Sequence, residues 1–373
     1  MTGLYIHIPF CISKCHYCNF VITTSTVPGS HALFLKALES EMDHYKHDFS
    51  RTVFDTLYLG GGTPSVMNIE ETQVLFDLLR KNFKFKRNAE MTCEANPGDI
   101  RNENAQKYRK FGVNRISLGA QSFCDATLKR LNRRHNAQDI HASFQLLRKS
   151  GFSNISLDLM ISLPEETLED VRHSLNQVLK LDPEHLSLYE LTIEQKTVFG
   201  SLFNKGKLDL PDEDLQVQML SIARDTLQKQ GFVHYELLSY AKPGFESCHN
   251  KIYWANEKYL GLGPGAYSYI AGRRFKISAS FEEYLKKIEK NDWTASEEES
   301  LSPEKREAES FLLALRLKEG ADVERFHRLI RKFGPDLETL EGQELIEKTS
   351  DHIRLTERGQ FFAETVFSEL SGV

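Results

Sequence analysis

The chain has 373 residues, of which 40% are hydrophobic and 27% charged, and 47 basic against 53 acidic residues give a formal net charge of -6. This length predicts two or three packed units, and the mildly acidic charge excludes a dominant attraction to nucleic acid or anionic membranes. The N-terminus lacks a signal-peptide pattern, and no segment reaches the length of apolar run that a membrane span needs. We therefore expect a cytoplasmic protein with no membrane span and no nucleic-acid partner.

From the N-terminus to about residue 192, β-rich apolar runs alternate with amphipathic helical stretches. The predicted strands cover residues 4–8, 53–59, 90–94, 115–118, 156–160 and 185–191. The predicted helices cover about residues 31–47, 70–82, 101–111, 137–149 and 167–180. This alternation predicts parallel strands with right-handed crossovers, and hence an α/β fold built on a partial, TIM-like (β/α)6 barrel.

Polar residues or glycines lie at or near the C-terminal end of each predicted strand after the first. In chain order they are Gly60 to Thr63, Glu94, Gly119 to Gln121, Asp158 and Glu190. Taken singly, each is explained equally well as a loop or capping residue. Because the C-terminal ends of the strands form the site in a parallel barrel, the whole set predicts one shared pocket at that face.

After about residue 195 the regular alternation stops. A helix near 213–230 and a strand at 233–237 precede a turn-rich stretch at 241–250 and a Gly-rich segment at 261–266, and we interpret the acidic run 296–300 as a solvated linker. Helices at about 303–318, 322–332 and 338–348, followed by the segment 352–356, resemble a small winged-helix unit. We expect three units, at residues 1–195, 196–295 and 296–373, of which the middle one is an α+β extension.

The segment CISKCHYC at residues 11–18 places Cys11, Cys15 and Cys18 in one loop directly after the first strand. Such soft thiolates favour zinc or an iron–sulfur cluster. A structural zinc site needs a fourth ligand, which His7 or His16 offers. A four-iron cluster held by three cysteines instead leaves one iron open to bind another molecule.

The C-x3-C-x2-C spacing, with an aromatic residue between the last two cysteines, resembles the signature of the radical S-adenosylmethionine (SAM) enzymes. The resemblance implies that Cys11, Cys15 and Cys18 hold a [4Fe-4S] cluster whose open iron chelates SAM, which a one-electron transfer cleaves to a 5′-deoxyadenosyl radical. It also places Tyr17 against the cofactor. We interpret Cys93, Cys124 and Cys248, which are isolated in the sequence, as small buried residues.

Other motifs suit a SAM pocket on physical grounds. Glycines at 60–62 let a backbone approach a ligand closely, and Glu94 offers acceptors for two ribose hydroxyls. Gln121 and Arg133 carry groups that suit polar or carboxylate atoms of a ligand. Asp158 lies in an apolar strand, where a carboxylate is costly unless it is paired, and this favours a functional role.

A narrower resemblance rests on the segments YIHIPFC (5–11), GGGTPS (60–65), EANP (94–97), NRISLGAQSF (114–123), RRH (133–135) and DLM (158–160). They are similar to segments of the oxygen-independent coproporphyrinogen III oxidase family and its haem-chaperone branch, along nearly the whole chain. The resemblance implies that SAM is contacted by Tyr5, Tyr17, Gly61, Gly62, Thr63, Glu94, Gln121, Arg133 and Asp158. Some of these positions serve a second SAM in the oxidases.

Three features separate the two branches. The resemblance implies the pattern C-x3-C-x2-C-x-C for the oxidases, whereas Phe20 stands at the position of the last cysteine in this chain. It also implies a longer N-terminal arm for the oxidases than the four residues that precede Tyr5 here. The segment HNKIYW at residues 249–254 matches a block typical of the haem chaperones. The resemblance therefore favours a chaperone that binds haem and delivers it to acceptors such as respiratory enzymes. The alternatives are a coproporphyrinogen III oxidase of haem biosynthesis, which turns propionates into vinyls, and another radical SAM activity on a tetrapyrrole.

His249 is the candidate haem ligand, because an imidazole can bind haem iron and the neighbouring Tyr253 and Trp254 offer flat apolar faces. A His-Asn turn held by aromatic packing explains the same residues without a ligand.

Overall fold

The computed structural model describes residues 1–24 and 27–371, and its centre is a set of six parallel strands. They are Gly3–Ile8 (β1), Val53–Gly61 (β2), Lys84–Ala95 (β3), Arg115–Gln121 (β4), Ile155–Ile161 (β5) and His185–Glu190 (β6). Each pairs in parallel with the next along the chain. The predicted partial (β/α)6 barrel is confirmed, and the third strand begins six residues before its predicted start.

The helices between these strands are Ser30–Tyr45 (α1), Ile69–Asn82 (α2), Asn102–Phe111 (α3), Asp125–Arg130 (α4), Ala137–Lys149 (α5) and Leu168–Leu181 (α6). A short 3-10 turn, Pro64–Val66, follows β2. Local sequence fixes several helix starts, because the side chains of Asn68, Asn136 and Thr167 accept the backbone N–H three residues later in capping boxes. The short helix α4 has no counterpart among the helices predicted from the sequence.

The sheet continues on both sides of the parallel strands. The elements that follow β6 are Val198–Asn204 (α7), Glu213–Lys229 (α8), Val233–Glu236 (β7), Ser239–Ala241 (β8), Cys248–Trp254 (α9), Tyr259–Leu262 (β9), Tyr267–Ile270 (β10), Arg273–Lys276 (β11), Phe281–Glu289 (α10) and Glu297–Ser300 (β12). The strand order is β12-β11-β10-β9-β1-β2-β3-β4-β5-β6-β8-β7, and β9 pairs in parallel with β1. Residues from the predicted middle unit therefore flank both edges of the parallel set.

The interpretation of residues 296–300 as a linker was wrong. Glu297–Ser300 forms an edge strand antiparallel to β11, with all four residues exposed. Basic residues on β11 compensate the acidic run, since Lys276 pairs with Glu297 at 2.7 Å and Arg273 with Glu298 at 2.9 Å. Opposite charges across neighbouring strands stabilise the pairing, which an acidic pattern alone does not reveal.

The C-terminal elements pack around a hydrophobic cluster of their own, which includes Phe311, Leu337 and Ile353. They are Pro303–Ala314 (α11), Ala321–Asp322 (β13), His327–Lys332 (α12), Gly334–Gly342 (α13), Ile346–Lys348 (β14), His352–Leu355 (β15), Glu357–Phe361 (α14) and Ala363–Ser371 (α15). The predicted helix 338–348 was misplaced, because α13 ends at Gly342 and Glu344 adopts a left-handed φ of 60° before β14. The winged-helix character and the unit boundaries remain predictions.

None of the helices within residues 1–24 and 27–371 is long and apolar enough to cross a membrane.

A turn after β9 supports the back of β1. Gly263 has a φ of 96°, and a Cβ there would lie 2.5 Å from the backbone oxygen of His7, so the turn requires glycine. The backbone N–H of Gly263 and the hydroxyl of Tyr284 donate to the Glu41 carboxyl at 2.8 and 2.7 Å. Burial raises the pKa of Glu41 from 4.5 to about 7, although both hydrogen bonds lower it.

The raised pKa of Glu41 predicts a pH-dependent stability. Folded protein retains a proton on Glu41 that the unfolded chain releases, so this contribution is complete below pH 4.5 and is lost as the pH rises through about 7. Between pH 5 and pH 8 the wild type should lose about 1–3 kcal/mol of unfolding free energy relative to Glu41→Gln. Thermal unfolding at both pH values measures this difference, with Glu39→Gln as control, since Glu39 lies at the surface of the same helix and pairs with Lys81 at 2.9 Å. A constant gap between wild type and Glu41→Gln would contradict the assignment.

Candidate active site at the C-terminal face of the barrel

One cavity of about 390 Å³ opens at the C-terminal ends of the parallel strands. This volume is typical of a small-molecule site. The predicted residues that line it are Cys11, Cys15, Tyr17, Cys18, Gly61, Gly62, Thr63, Glu94, Gln121, Arg133, Asp158 and Glu190. The expectation that the strand ends form one shared pocket is therefore confirmed.

The cysteine loop is closed at its base by backbone and histidine contacts. The N–H of Cys11 donates to the carbonyl oxygen of Thr23 at 3.0 Å, and the N–H of Thr23 donates to the carbonyl oxygen of Pro9 at 2.7 Å. His7 Nε2 lies 2.7 Å from the Val21 oxygen, and His16 Nδ1 lies 2.9 Å from the Arg130 oxygen. Both candidate zinc histidines thus bind backbone carbonyls.

The thiols face polar groups on the cavity wall. Cys11 Sγ lies 3.4 Å from the Thr63 hydroxyl, and Arg133 Nη1 donates to Cys15 Sγ at 3.4 Å. Burial raises the pKa of Cys11 to about 11 and also raises that of Cys18. Across residues 1–24 and 27–371, no three His, Cys, Asp or Glu side chains are close enough together to hold a single metal ion. The zinc alternative therefore has no preformed site in this part of the chain.

The three glycines at the C-terminal end of β2, Gly60 to Gly62, are required by contacts within the protein. A Cβ at Gly60 would lie 3.0 Å from the Glu94 carboxyl, and one at Gly61 would lie 2.6 Å from the His7 ring. A Cβ at Gly62 would lie 2.7 Å from the backbone oxygen of Phe10. Gly61 also has a φ of 106°. We expected these glycines to allow close approach of a ligand, whereas the structure shows that they first allow the strands and the cysteine loop to pack.

Glu94 is a half-buried carboxyl group that borders the cavity and is held at both oxygens. Oε1 accepts a hydrogen bond from the Tyr58 hydroxyl at 2.9 Å, and Oε2 accepts one from the N–H of Gly61 at 3.1 Å. Burial raises the pKa of Glu94 to about 7, and the nearby charge of Asp158 raises it further, against these hydrogen bonds. Glu94 can therefore exchange a proton near neutral pH or accept hydrogen bonds from a ligand.

Asp158 is stabilised by hydroxyl groups. The Ser117 hydroxyl lies 3.0 and 3.2 Å from its two carboxylate oxygens. Burial nevertheless raises the pKa of Asp158 to about 6, and the charges of Arg115 and Arg133 oppose this rise. The predicted pairing of this half-buried carboxylate is thus made by hydrogen bonds from serine and by cations nearby.

Arg133 borders the cavity and bonds to several of its walls. Its Nη2 donates to the Gly119 oxygen at 2.8 Å and to the Asn96 side-chain oxygen, while Nη1 reaches Cys15. The guanidinium therefore links two strand ends to the cysteine loop. Gln121 ends β4 with a φ of 66°, a left-handed conformation that is uncommon for a residue other than glycine.

Tyr17 lies on the cavity wall against the apolar cluster formed by Leu131, Met160, Leu163 and Phe199. Burial raises the pKa of Tyr17 well above its usual range, and the Arg133 charge opposes this rise.

Tyr5 and His249 are not among the residues that line the cavity. The Tyr5 hydroxyl lies 3.1 Å from His7 Nδ1 in the barrel interior. His249 is 1% exposed, and its ring nitrogens lie 2.6 Å from the Thr56 hydroxyl and 2.8 Å from the Tyr253 hydroxyl. The structure thus separates His249 from the cysteines, although the sequence suggested both for cofactor binding.

The rings that follow His249 also have partners inside the protein. The ring of Tyr253 meets that of Tyr259 edge to face at 4.6 Å, and the Arg316 guanidinium lies 4.2 Å from the ring centre of Trp254. In this conformation both aromatic faces proposed for haem contact other side chains.

Sequence reasoning missed three residues that organise the site. Asn96 donates to the Thr63 hydroxyl at 3.0 Å and accepts from Arg133, Ser117 supports Asp158, and Tyr58 supports Glu94. Asn96 follows β3 directly and precedes Pro97, a position typical of a site residue at a strand end. Tyr58 and Ser117 lie inside strands, where nothing in the sequence shows which way they point.

Comparisons with known proteins agree with the geometry. The model of the radical SAM superfamily matches residues 5–178, and that of the HemN C-terminal domain matches residues 301–362. A protein named "Heme chaperone HemW" from Bacillus subtilis is 36% identical over the full length of both chains. A protein of the same name from Lactococcus lactis is 36% identical, over 99% of this chain and 97% of its own.

The chain belongs to the HemW family. A solved structure titled coproporphyrinogen III oxidase (HemN) from Escherichia coli matches 100% of this chain and 90% of its own, with a TM-score of 0.88. At 23% identity this likeness shows the shared fold. The match to the radical SAM superfamily implies a [4Fe-4S] cluster and SAM as cofactors.

Proposed function

We propose that this protein is a haem chaperone that binds haem, holds a [4Fe-4S] cluster with SAM, and delivers the haem to acceptor proteins such as respiratory enzymes. The observation that carries the proposal is the meeting of the three loop cysteines with Glu94 and Asp158 on one cavity. Full-length relatives named haem chaperones support the delivery role.

The residues present fit the cluster. Cys11, Cys15 and Cys18 all border the cavity, and thiolates are the usual ligands of such clusters. A four-iron cluster is larger than a single ion, so its ligands need not converge on one point. The Arg133 guanidinium and the Thr63 hydroxyl lie next to the sulfur atoms of Cys15 and Cys11, where they can stabilise thiolate charge.

The remaining wall groups suit SAM. When bound, the cluster supplies an electron for the cleavage of SAM. Glu94 would accept hydrogen bonds from ribose hydroxyls, and Gln121, Thr63 and Asp158 offer polar atoms around the same volume. Tyr17 would lie against the cofactor from the loop side. Arg133 would hold the loop in place, since both of its terminal nitrogens donate to protein groups.

Phe20 supports a chaperone over an oxidase. It borders the cavity and is 67% exposed, at the position where the oxidases carry a further cysteine. An exposed ring there offers an apolar contact and no thiolate. The haem contacts of His249 stay part of the proposal, and ligation by its imidazole would require breaking a hydrogen bond to Thr56 or Tyr253.

Cluster ligation predicts a selective loss of colour. Cys11→Ala, Cys15→Ala and Cys18→Ala should each abolish the brown chromophore after anaerobic reconstitution. The cluster needs at least three thiolates, and two cannot substitute for them. Cys93→Ala, a buried cysteine that does not border the cavity, is the control and should retain it. Iron analysis that finds about four irons per chain in the triple variant would refute the assignment.

Ribose recognition predicts that Glu94→Ala weakens SAM binding while the cluster stays intact. Losing hydrogen bonds to a charged group should cost about tenfold to a hundredfold in affinity. Anaerobic equilibrium dialysis with SAM measures the change, and Glu103→Ala on the exposed face of α3 is the control. Unchanged affinity in folded Glu94→Ala would remove this carboxylate from the SAM site.

The two branches make opposite predictions with coproporphyrinogen III. A haem chaperone should bind haem at about one per chain and should release no carbon dioxide from this substrate, even with cluster, SAM and reductant present. Optical titration with haem and detection of labelled carbon dioxide on the same preparation measure both properties. Steady, SAM-dependent decarboxylation would establish the oxidase instead.

A further inference from the structure

A column of polar and aromatic side chains lies inside the barrel beneath the cavity. Barrel interiors are usually filled by branched apolar residues. Here Glu94 lies next to Tyr58, and the rings of Tyr58, Tyr5 and His249 contact one another, with centroids 5.0 to 6.5 Å apart. His249 lies at the far end next to Thr56. The column therefore connects the cavity wall with α9, the helix that carries the HNKIYW segment.

Tyr58 fixes the position of Glu94. Its hydroxyl donates to Glu94 Oε1 at 2.9 Å, while the N–H of Gly61 binds Oε2 at 3.1 Å. A Cβ at Gly60 would lie 2.9 Å from the Tyr58 ring and 3.0 Å from the Glu94 carboxyl. Glycine at position 60 is thus what allows the two side chains to meet. With a donor at each oxygen, the plane of the carboxyl group is defined.

His249 in turn holds the ring of Tyr58. The two rings stack with centroids 5.0 Å apart and an angle of 30° between their planes. Hydrogen bonds at both ring nitrogens fix His249, and its backbone N–H donates to Glu90 Oε1 at 3.0 Å. Burial and the Arg115 charge lower the pKa of His249 to about 3, so the ring is neutral and can donate from one nitrogen and accept at the other.

We propose that Tyr58 and His249 are positioning residues for Glu94, through which the HNKIYW segment acts on the SAM site from inside the barrel. This inference rests on the proposed function, which places SAM in the cavity. It gives His249 a role in the position that it occupies, with both nitrogens bound and its ring face against Tyr58.

The role of Tyr58 has a pH signature, because its hydroxyl stabilises the charged form of Glu94. Among the titratable and charged groups that face Glu94, Asp158 raises its pKa, and Arg115 and Tyr58 lower it. The other groups that face it are Cys93, Tyr5, Tyr189 and Tyr253. Removing the Tyr58 hydroxyl leaves the other groups in place and raises the pKa of Glu94 further above about 7. The affinity deficit of the variant should therefore be larger at pH 7 than at pH 9.

The test compares SAM affinity in cluster-loaded Tyr58→Phe, His249→Ala and His249→Phe with the wild type at pH 7 and pH 9. Taking each ratio at a single pH cancels the titration of SAM itself. Tyr58→Phe should bind about tenfold more weakly at pH 7 and recover part of this loss at pH 9. The control is Tyr108→Phe, because the Tyr108 hydroxyl is buried without a hydrogen-bond partner among the described residues.

The two substitutions of His249 separate positioning from haem ligation. His249→Ala removes the stacked ring and should weaken SAM binding about threefold to tenfold. His249→Phe retains a ring face and should restore affinity to within about twofold of wild type. Ligation of haem by His249 would instead be lost in both variants. Thermal unfolding of each variant verifies that it is folded. If a His249 variant does not fold, the SAM affinity of Tyr58→Phe tests the proposed positioning role.

Wild-type affinity in Tyr58→Phe at pH 7, or equal weakening in folded His249→Ala and His249→Phe, would overturn the inference. Failure of the wild type to bind SAM would instead refute the proposed function, so the two failures are distinguishable.

Discussion

The partial burial of two carboxyl groups, Glu94 and Asp158, on one cavity wall is the constraint on which the rest of the site depends. Moving a carboxylate out of water is costly unless hydrogen bonds and nearby charges compensate. Tyr58, the Gly61 N–H and Ser117 provide the hydrogen bonds, and Arg115 and Arg133 provide positive charge. The pKa values of both acids nevertheless stay raised, to about 7 and about 6, so the cavity keeps proton-accepting groups near neutral pH.

This constraint also explains the glycines and the cysteine loop. Gly60 must lack a side chain for Tyr58 to reach Glu94, and Gly61 must lack one because the His7 ring fills that space. His7 then reaches Val21 and holds the returning arm of the loop that carries the cysteines. The packing that places the carboxyl groups is therefore the same packing that places the thiols. The HemN structure shares this fold at 23% identity.

The sequence predicts the parallel strands well because each combines an apolar run with a following amphipathic helix, as at β5 and α6. It predicts the cavity because polar residues at strand ends must meet. It does not predict β12, whose pairing depends on cross-strand charges from β11, nor the role of Tyr58, because side-chain direction inside a barrel depends on register. The position of His249 could not be predicted for the same reason. A histidine next to aromatic residues has the same sequence pattern whether its ring faces a ligand or the barrel interior.

The central claim is that the protein delivers haem, and transfer to an acceptor tests it most directly. Haem-loaded protein would be mixed anaerobically with the haem-free form of a respiratory haem enzyme, and transfer followed by the acceptor's absorption spectrum. If the protein is a chaperone, transfer should be faster than the spontaneous dissociation of haem. The spontaneous rate is measured with a haem scavenger that does not interact with the protein, such as apomyoglobin. Transfer to the respiratory acceptor at no more than that spontaneous rate would contradict the account.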